Sequence, residues 1–166
     1  ITFALILGFS TPVSADPEGD LYYINTSSTN DLYRVDLTDP ANITTELLLT
    51  TGLNGQKGLS PSLDTNRLFA SSTSNYPLYS VDVESGTSDP VGFTNQNYNG
   101  LAFDAANELI YAARNGAFVS IDRFGVTTSL PINSGDQDLE GLAFAHGGVY
   151  ALSWGGTLYF YDPATT

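Results

Sequence analysis

The chain has no cysteine, a single histidine, a single tryptophan and five basic residues against eighteen acidic ones. Each shortage removes a class of function. Without cysteine the fold uses no disulfides, and His146 alone supplies no second nitrogen or thiolate for a zinc site. No Ser-His-Asp arrangement can be placed. No phosphate-cradling glycine loop, nucleophile elbow or H-E-x-x-H run occurs. The only basic residues are Arg34, Lys57, Arg67, Arg114 and Arg123, and the formal net charge is −13. That balance argues against nucleic acid, which needs cationic side chains on phosphate, and against an anionic membrane surface. The acidity fits solubility; divalent-cation binding and a saline habitat are the sharper readings. The i, i+3, i+4 apolar spacing of helices is also missing, as are a linker and a second domain.

What the chain does have is a repeat. Asn99-Gly100-Leu101-Ala102-Phe103, Glu108-Leu109-Ile110-Tyr111-Ala112 and Ala117-Phe118-Val119-Ser120-Ile121-Asp122 return as Glu140-Gly141-Leu142-Ala143-Phe144, Gly148-Val149-Tyr150-Ala151 and Thr157-Leu158-Tyr159-Phe160-Tyr161-Asp162. Lys57-Gly58-Leu59-Ser60, Arg67-Leu68-Phe69-Ala70 and Pro77-Leu78-Tyr79-Ser80-Val81-Asp82 form an earlier copy, and Asp20 to Asp36 hold a degenerate one. The Asp closing each third run stands at 36, 82, 122 and 162, a period close to 40. Short runs of Leu, Val, Ile, Tyr and Phe between Gly, Asn, Asp, Ser and Pro are strands and turns. Four strands in a unit of this size predict one propeller blade. The expectation is therefore an all-β fold, a β-propeller fragment of about four blades of four-stranded antiparallel sheet. The blades run approximately over 20–53, 54–97, 98–139 and 140–166. The Gly-Leu run is the innermost strand, where small residues allow close approach near the axis. A fourfold Asp at one blade position reads as a turn residue hydrogen-bonded to the backbone after it, not as a catalytic group.

Both ends read as incomplete. Blade 1 begins at its second strand, and the last residues, Asp162 to Thr166, form the turn before a fourth strand, so three, four, four and three strands are expected. Residues 1–15 differ from the rest. Ile1 to Phe9 is apolar but too short to cross a bilayer, and Val13 and Ala15 before Asp16 have the look of a secretory cleavage site. Residues 1–15 are thus expected to be the C-terminal part of a signal peptide, and the protein to be secreted, periplasmic or on the cell surface, with no membrane insertion in the mature region. The competing reading makes Thr2 to Phe9 a strand or helix of the core.

Candidate binding groups fall on the loops that lead into strand one and on those joining strands two and three. Asn54, Tyr98, Asn99, Arg114 and Trp154 are the candidate ligand contacts. An exposed Arg and Trp could hold a sugar or an anionic group, whereas the glycines beside them read as hairpin turns. Asp136, Asp138 and Glu140 offer hard oxygens of the kind calcium takes; the plainer reading is a solvated acidic loop. Lys57 and Asn99 occupy the positions equivalent to Glu140, so the carboxylate is not repeated around the axis. His146 beside two glycines is a turn residue.

The run Asp138 to Phe144, with Val149-Tyr150-Ala151 and Thr157 to Thr165, resembles the repeats of secreted bacterial β-propeller proteins, many of which carry a C-terminal sorting anchor. Leu21-Tyr22-Tyr23 and Leu32 to Asp36 are also similar to the YWTD-type propeller repeat, though the tetrapeptide itself is missing. The resemblance implies the fold and leaves function open, since one fold hosts many functions. The primary expectation is an exported, non-enzymatic module binding a protein or glycan ligand. The alternatives are a calcium-assisted hydrolase of lactonase or phytase type, using Glu140, Asn99 and Asn54, and a surface-anchored adhesion protein.

Overall fold

A computed structural model of the chain describes residues 21–25, 31–36, 39, 41–50, 56–62, 66–72, 77–93, 98–114, 117–131 and 139–165. The expected leader at 1–15 lies outside them. The described residues form fourteen strands, one short 3-10 turn at Pro163–Thr165, and no α-helix.

The strands make four antiparallel sheets. The first pairs β1 (Leu21–Asn25), β2 (Asp31–Asp36) and β3 (Thr44–Thr50). The second holds β4 (Gln56–Pro61), β5 (Arg67–Ser72), β6 (Pro77–Asp82) and β7 (Thr87–Phe93). The third holds β8 (Gly100–Asp104), β9 (Leu109–Arg114), β10 (Ala117–Ile121) and β11 (Thr127–Ser129). The fourth holds β12 (Leu139–Ala145), β13 (Gly148–Ser153) and β14 (Leu158–Tyr161). Within each sheet every strand pairs with its neighbour in the chain. Between sheets, β4 packs on β8 and β8 on β12. The arrangement is the all-β arc of four blades that the repeat predicts, with three, four, four and three described strands.

The blades hold together through apolar residues of their middle strands, most fully in blade 3. Successive side chains of a strand point to opposite sides, and in blade 3 both sides are covered. Leu101, Ile110, Ala112, Val119 and Ile121 pack with Leu78 and Phe69 of blade 2. Ala102, Tyr111, Ala113 and Phe118 pack with Leu139, Val149 and Ala151 of blade 4, backed by Phe144 and Tyr161. Leu32 of blade 1 meets Leu59, Leu68, Ala70 and Val81 of blade 2 in the same way. Each large aliphatic or aromatic group buried here stabilises the arc by roughly 1.5–3 kcal/mol. Aromatic contacts add to the join of blades 3 and 4: the Phe118 and Tyr161 rings meet edge to face at 5.1 Å, and Tyr111 stacks on Phe144 at 6.0 Å.

The inner strands come close at glycine. A side chain at Gly100 would sit 3.0 Å from the Glu140 carbonyl and the Leu142 nitrogen of the next blade, and one at Gly58 would sit 2.9 Å from Leu101. The recurring Asp terminates strand three by capping the turn after it. Asp82 Oδ1 accepts from Glu84 N and Ser85 N at 3.0 and 2.9 Å. Asp122 Oδ1 accepts from Phe124 N and Val126 N, both at 2.9 Å, and Asp162 Oδ1 from Ala164 N at 2.9 Å. These bonds, led by the one from Ser85 N, hold the Asp82 carboxyl below the usual carboxylate range.

Candidate functional site

The pairing registers bring Asn99, Arg114, Glu140 and Trp154 to one end of blades 3 and 4. Asn99 N donates to Ala113 O at 2.8 Å, beside Arg114. Leu139 pairs with Ser153, which places Glu140 beside the turn that carries Trp154. The register slips between Leu139 and Gly141, so Glu140 is the extra residue of a β-bulge, a device that re-aims a side chain. Glu140 is thus inside the inner strand and not in the loop before it. A matching slip between Gln56 and Leu59 takes in Lys57, the equivalent position of blade 2.

Glu140 and Asn99 meet across the blade boundary: Asn99 Nδ2 donates to Glu140 Oε1 at 3.1 Å, with both side chains half-buried. Residues 41 positions apart become neighbours because they hold equivalent positions in successive blades. With its amide nitrogen engaged, Asn99 still has its side-chain oxygen as an acceptor.

Trp154 lies on the tight turn between β13 and β14. Ser153 fixes that turn: Thr157 N donates to Ser153 Oγ at 3.1 Å and Gly156 N to Ser153 O at 3.0 Å. Gly156 takes φ +83°, a left-handed conformation that glycine adopts without a steric cost. Trp154 is 77% exposed. Arg114 is half-buried.

Tyr98 behaves differently. It is buried, packed with Leu78 and Leu101 in the core between blades 2 and 3. Burial pushes its phenol above the usual tyrosine range, and the nearby charge of Arg114 pulls it partly back. Tyr98 is therefore a core residue and offers almost no surface of its own. Asn54, Asp136 and Asp138 lie outside the described residues. His146 is exposed on the β12–β13 turn at φ +53°, at the opposite end of the sheet.

Sequence reasoning missed Ser71. Its hydroxyl accepts from Gly58 N at 2.9 Å and donates to Tyr98 O at 2.7 Å, tying blade 2 to the segment that leads into blade 3. Its signal was a polar residue at the register position filled by Ala113 in blade 3 and Leu152 in blade 4. Asp104 was missed as well. It is fully buried and accepts from Ala106 N, Asn107 N and Asn107 Nδ2 at 3.0, 3.2 and 2.7 Å, closing the β8–β9 turn.

Among the described residues of blades 3 and 4, this end of the sheets offers one carboxylate, one side-chain amide, one guanidinium and one exposed indole. Among the described residues no three His, Cys, Asp or Glu side chains gather closely enough to hold a metal ion. No helix among them is long and apolar enough to cross a membrane.

Neither a family model nor a curated protein matches the chain. Solved structures do. A chain of a nidogen/laminin complex aligns over 88% of this chain and 56% of its own, with a TM-score of 0.69 and 14% identity. A gluconolactonase from Xanthomonas campestris aligns over 90% of this chain and 55% of its own, with a TM-score of 0.67 and 11% identity. This chain spans about half the length of the solved chains it matches. At these identities the likeness concerns the fold, which is that of a β-propeller, here as an incomplete ring.

Proposed function

We propose that the chain belongs to an exported, non-enzymatic propeller that binds a protein or glycan through the end of the sheets carrying Asn99, Arg114, Glu140 and Trp154. The observation that carries this reading is Trp154, 77% exposed on a turn pinned by Ser153. A large aromatic presented to solvent on a hydrogen-bonded turn suits a binding contact, since Trp is enriched where binding energy concentrates. Arg114 and the Asn99–Glu140 pair supply polar groups beside it. One solved structure with this fold is a nidogen/laminin complex, which is in keeping with a propeller that binds protein. Export is part of the proposal and rests on the cleavage-like residues Val13 and Ala15.

Wild type and Trp154→Ala are compared on an array of neutral and anionic oligosaccharides and immobilised extracellular proteins. The expected result is wild-type binding to at least one class, weakened about 10-fold or more in the variant. An array on which wild type binds nothing, or on which the variant binds equally, removes the proposal.

The second reading is a calcium-assisted hydrolase of lactonase or phytase type. Its support is the convergence of Glu140 and Asn99 and the likeness to a gluconolactonase. Calcium takes 6–8 oxygens; the carboxylate of Glu140 and the amide oxygen of Asn99 do not make such a set by themselves. Calorimetric titration with calcium chloride separates the readings: the hydrolase requires a heat of binding that Glu140→Gln abolishes.

A further inference from the structure

One register position recurs through all four blades, and its surroundings change only in the last. Leu32, Leu78, Phe118 and Leu158 stand first or second in the pairing of strand three with strand two, opposite Ile24, Ser71, Ala113 and Leu152. The first three are 1%, 2% and 2% exposed, each covered by the following blade; Leu158 is 65% exposed. Around it the same face of blade 4 carries Leu152 at 47% and Phe160 at 54% exposure, and Tyr150, whose ring lies 4.9 Å from that of Phe160. The matching residues on blade 3, Ala113 and Tyr111, are buried against blade 4.

The inner strands give an independent sign. A side chain at Gly58 would strike Leu101 of the next blade, and one at Gly100 would strike Leu142 of the next. At Gly141, the third member of the series, the same test meets only Leu152 of its own blade, at 3.8 Å. Gly141 keeps the close-approach glycine without a described neighbour to approach.

We infer that the face of blade 4 formed by Gly141, Tyr150, Leu152, Leu158 and Phe160 is an inter-blade interface, and that its occupant is a further blade of this repeat on the same polypeptide. The three joins already described fix the chemistry of that occupant. Each incoming blade presents the Leu that follows the inner-strand glycine, an aliphatic and an Ala from strand two, and aliphatic or Tyr groups from strand three. Leu142, Val149, Ala151, Tyr159 and Tyr161 do so against blade 3. A second copy fits less well. Docking its first blade here would use Val35, which is 8% exposed and already covered in its own chain. The matched solved chains also extend well beyond the portion this arc covers.

The test places a photoreactive benzoylphenylalanine at Leu158, and separately at Phe160, in the protein as its own cells make it. Phe118 carries the same probe as a control, because its ring already meets Tyr161. After irradiation, cross-linked peptides are mapped by mass spectrometry. Cross-links from either position into a segment of the same polypeptide with the Gly-Leu and Leu-Tyr repeat runs support the inference. A product of doubled mass joining two copies overturns it. So does a cross-link to a protein lacking the repeat, or no cross-link at either position while Phe118 reacts.

Discussion

Phe118→Ala and Leu158→Ala remove side chains from the same blade position, and the structure expects opposite outcomes. Phe118 is 2% exposed and its ring touches Tyr111 at 6.0 Å and Tyr161 at 5.1 Å. Truncation deletes a buried aromatic and leaves a cavity at the join of blades 3 and 4, which costs roughly 3–5 kcal/mol. Leu158 is 65% exposed, so its truncation in the isolated chain stays within about 0.5 kcal/mol. The assay is urea unfolding followed by far-ultraviolet circular dichroism, because Trp154 is already in solvent and reports folding poorly. With a slope of about 2–3 kcal/mol per molar urea, Phe118→Ala moves the midpoint down by more than 1 M and Leu158→Ala moves it by under about 0.3 M. In a stack where each repeat touches only its neighbours, weakening one join uncouples the units on either side. Blade 4 should then lose its strand signal before blades 2 and 3. Equal midpoints for the two variants would refute the assignment of buried and open faces.

Two further outcomes follow from single residues. Burial, reinforced by the charge of Asp104 and by Tyr161, pushes the Tyr111 phenol up to about 12. A raised folded value leaves stability intact below the unfolded value near 10. Between about 10 and 12 the unfolded chain releases a proton that the folded one keeps, so roughly 2–3 kcal/mol is lost over that window. Melting curves from pH 9 to 12 should show that loss in wild type and a smaller one in Tyr111→Phe; identical curves contradict it. Asp104→Ala strips the acceptor from two backbone N–H groups and the Asn107 amide, for a cost of about 1–3 kcal/mol. Asp104→Asn keeps one acceptor oxygen and should recover part of it in the same urea assay; a neutral Asp104→Ala would remove the capping role.

The fold was legible because burial on two faces writes itself into the middle strands of blade 3. A half-buried strand alternates apolar and polar, but β9 reads Leu-Ile-Tyr-Ala-Ala before Arg114, since Ile110 and Ala112 serve one join and Tyr111 and Ala113 the other. Such runs, returning at an interval close to 40 and followed in blades 2, 3 and 4 by an Asp that caps a turn, leave little besides stacked blades. The glycines at the inner strand carried the same message, as the short distances from Gly58 and Gly100 to the next blade attest.

The candidate site was only half legible, and Tyr98 and Glu140 explain why. Tyr98 precedes an inner strand, so the one-dimensional pattern assigns it to a loop. Its depth depends on blade 2 reaching over it, through Leu78 and the Ser71 hydroxyl on its carbonyl. Glu140 lies in a bulge, and a bulge is a mismatch between two strands that neither strand records alone. Its partnership with Asn99 could be read from the repeat, since equivalent positions of successive blades are neighbours around an axis. A ligand for that end of the sheets cannot be read the same way. The repeat conserves what blades need from each other, while Lys57, Asn99 and Glu140 differ at one equivalent position. Where a residue faces the next blade the pattern dictates it; where it faces the open end, each blade differs, and that freedom is where selectivity for a partner would reside.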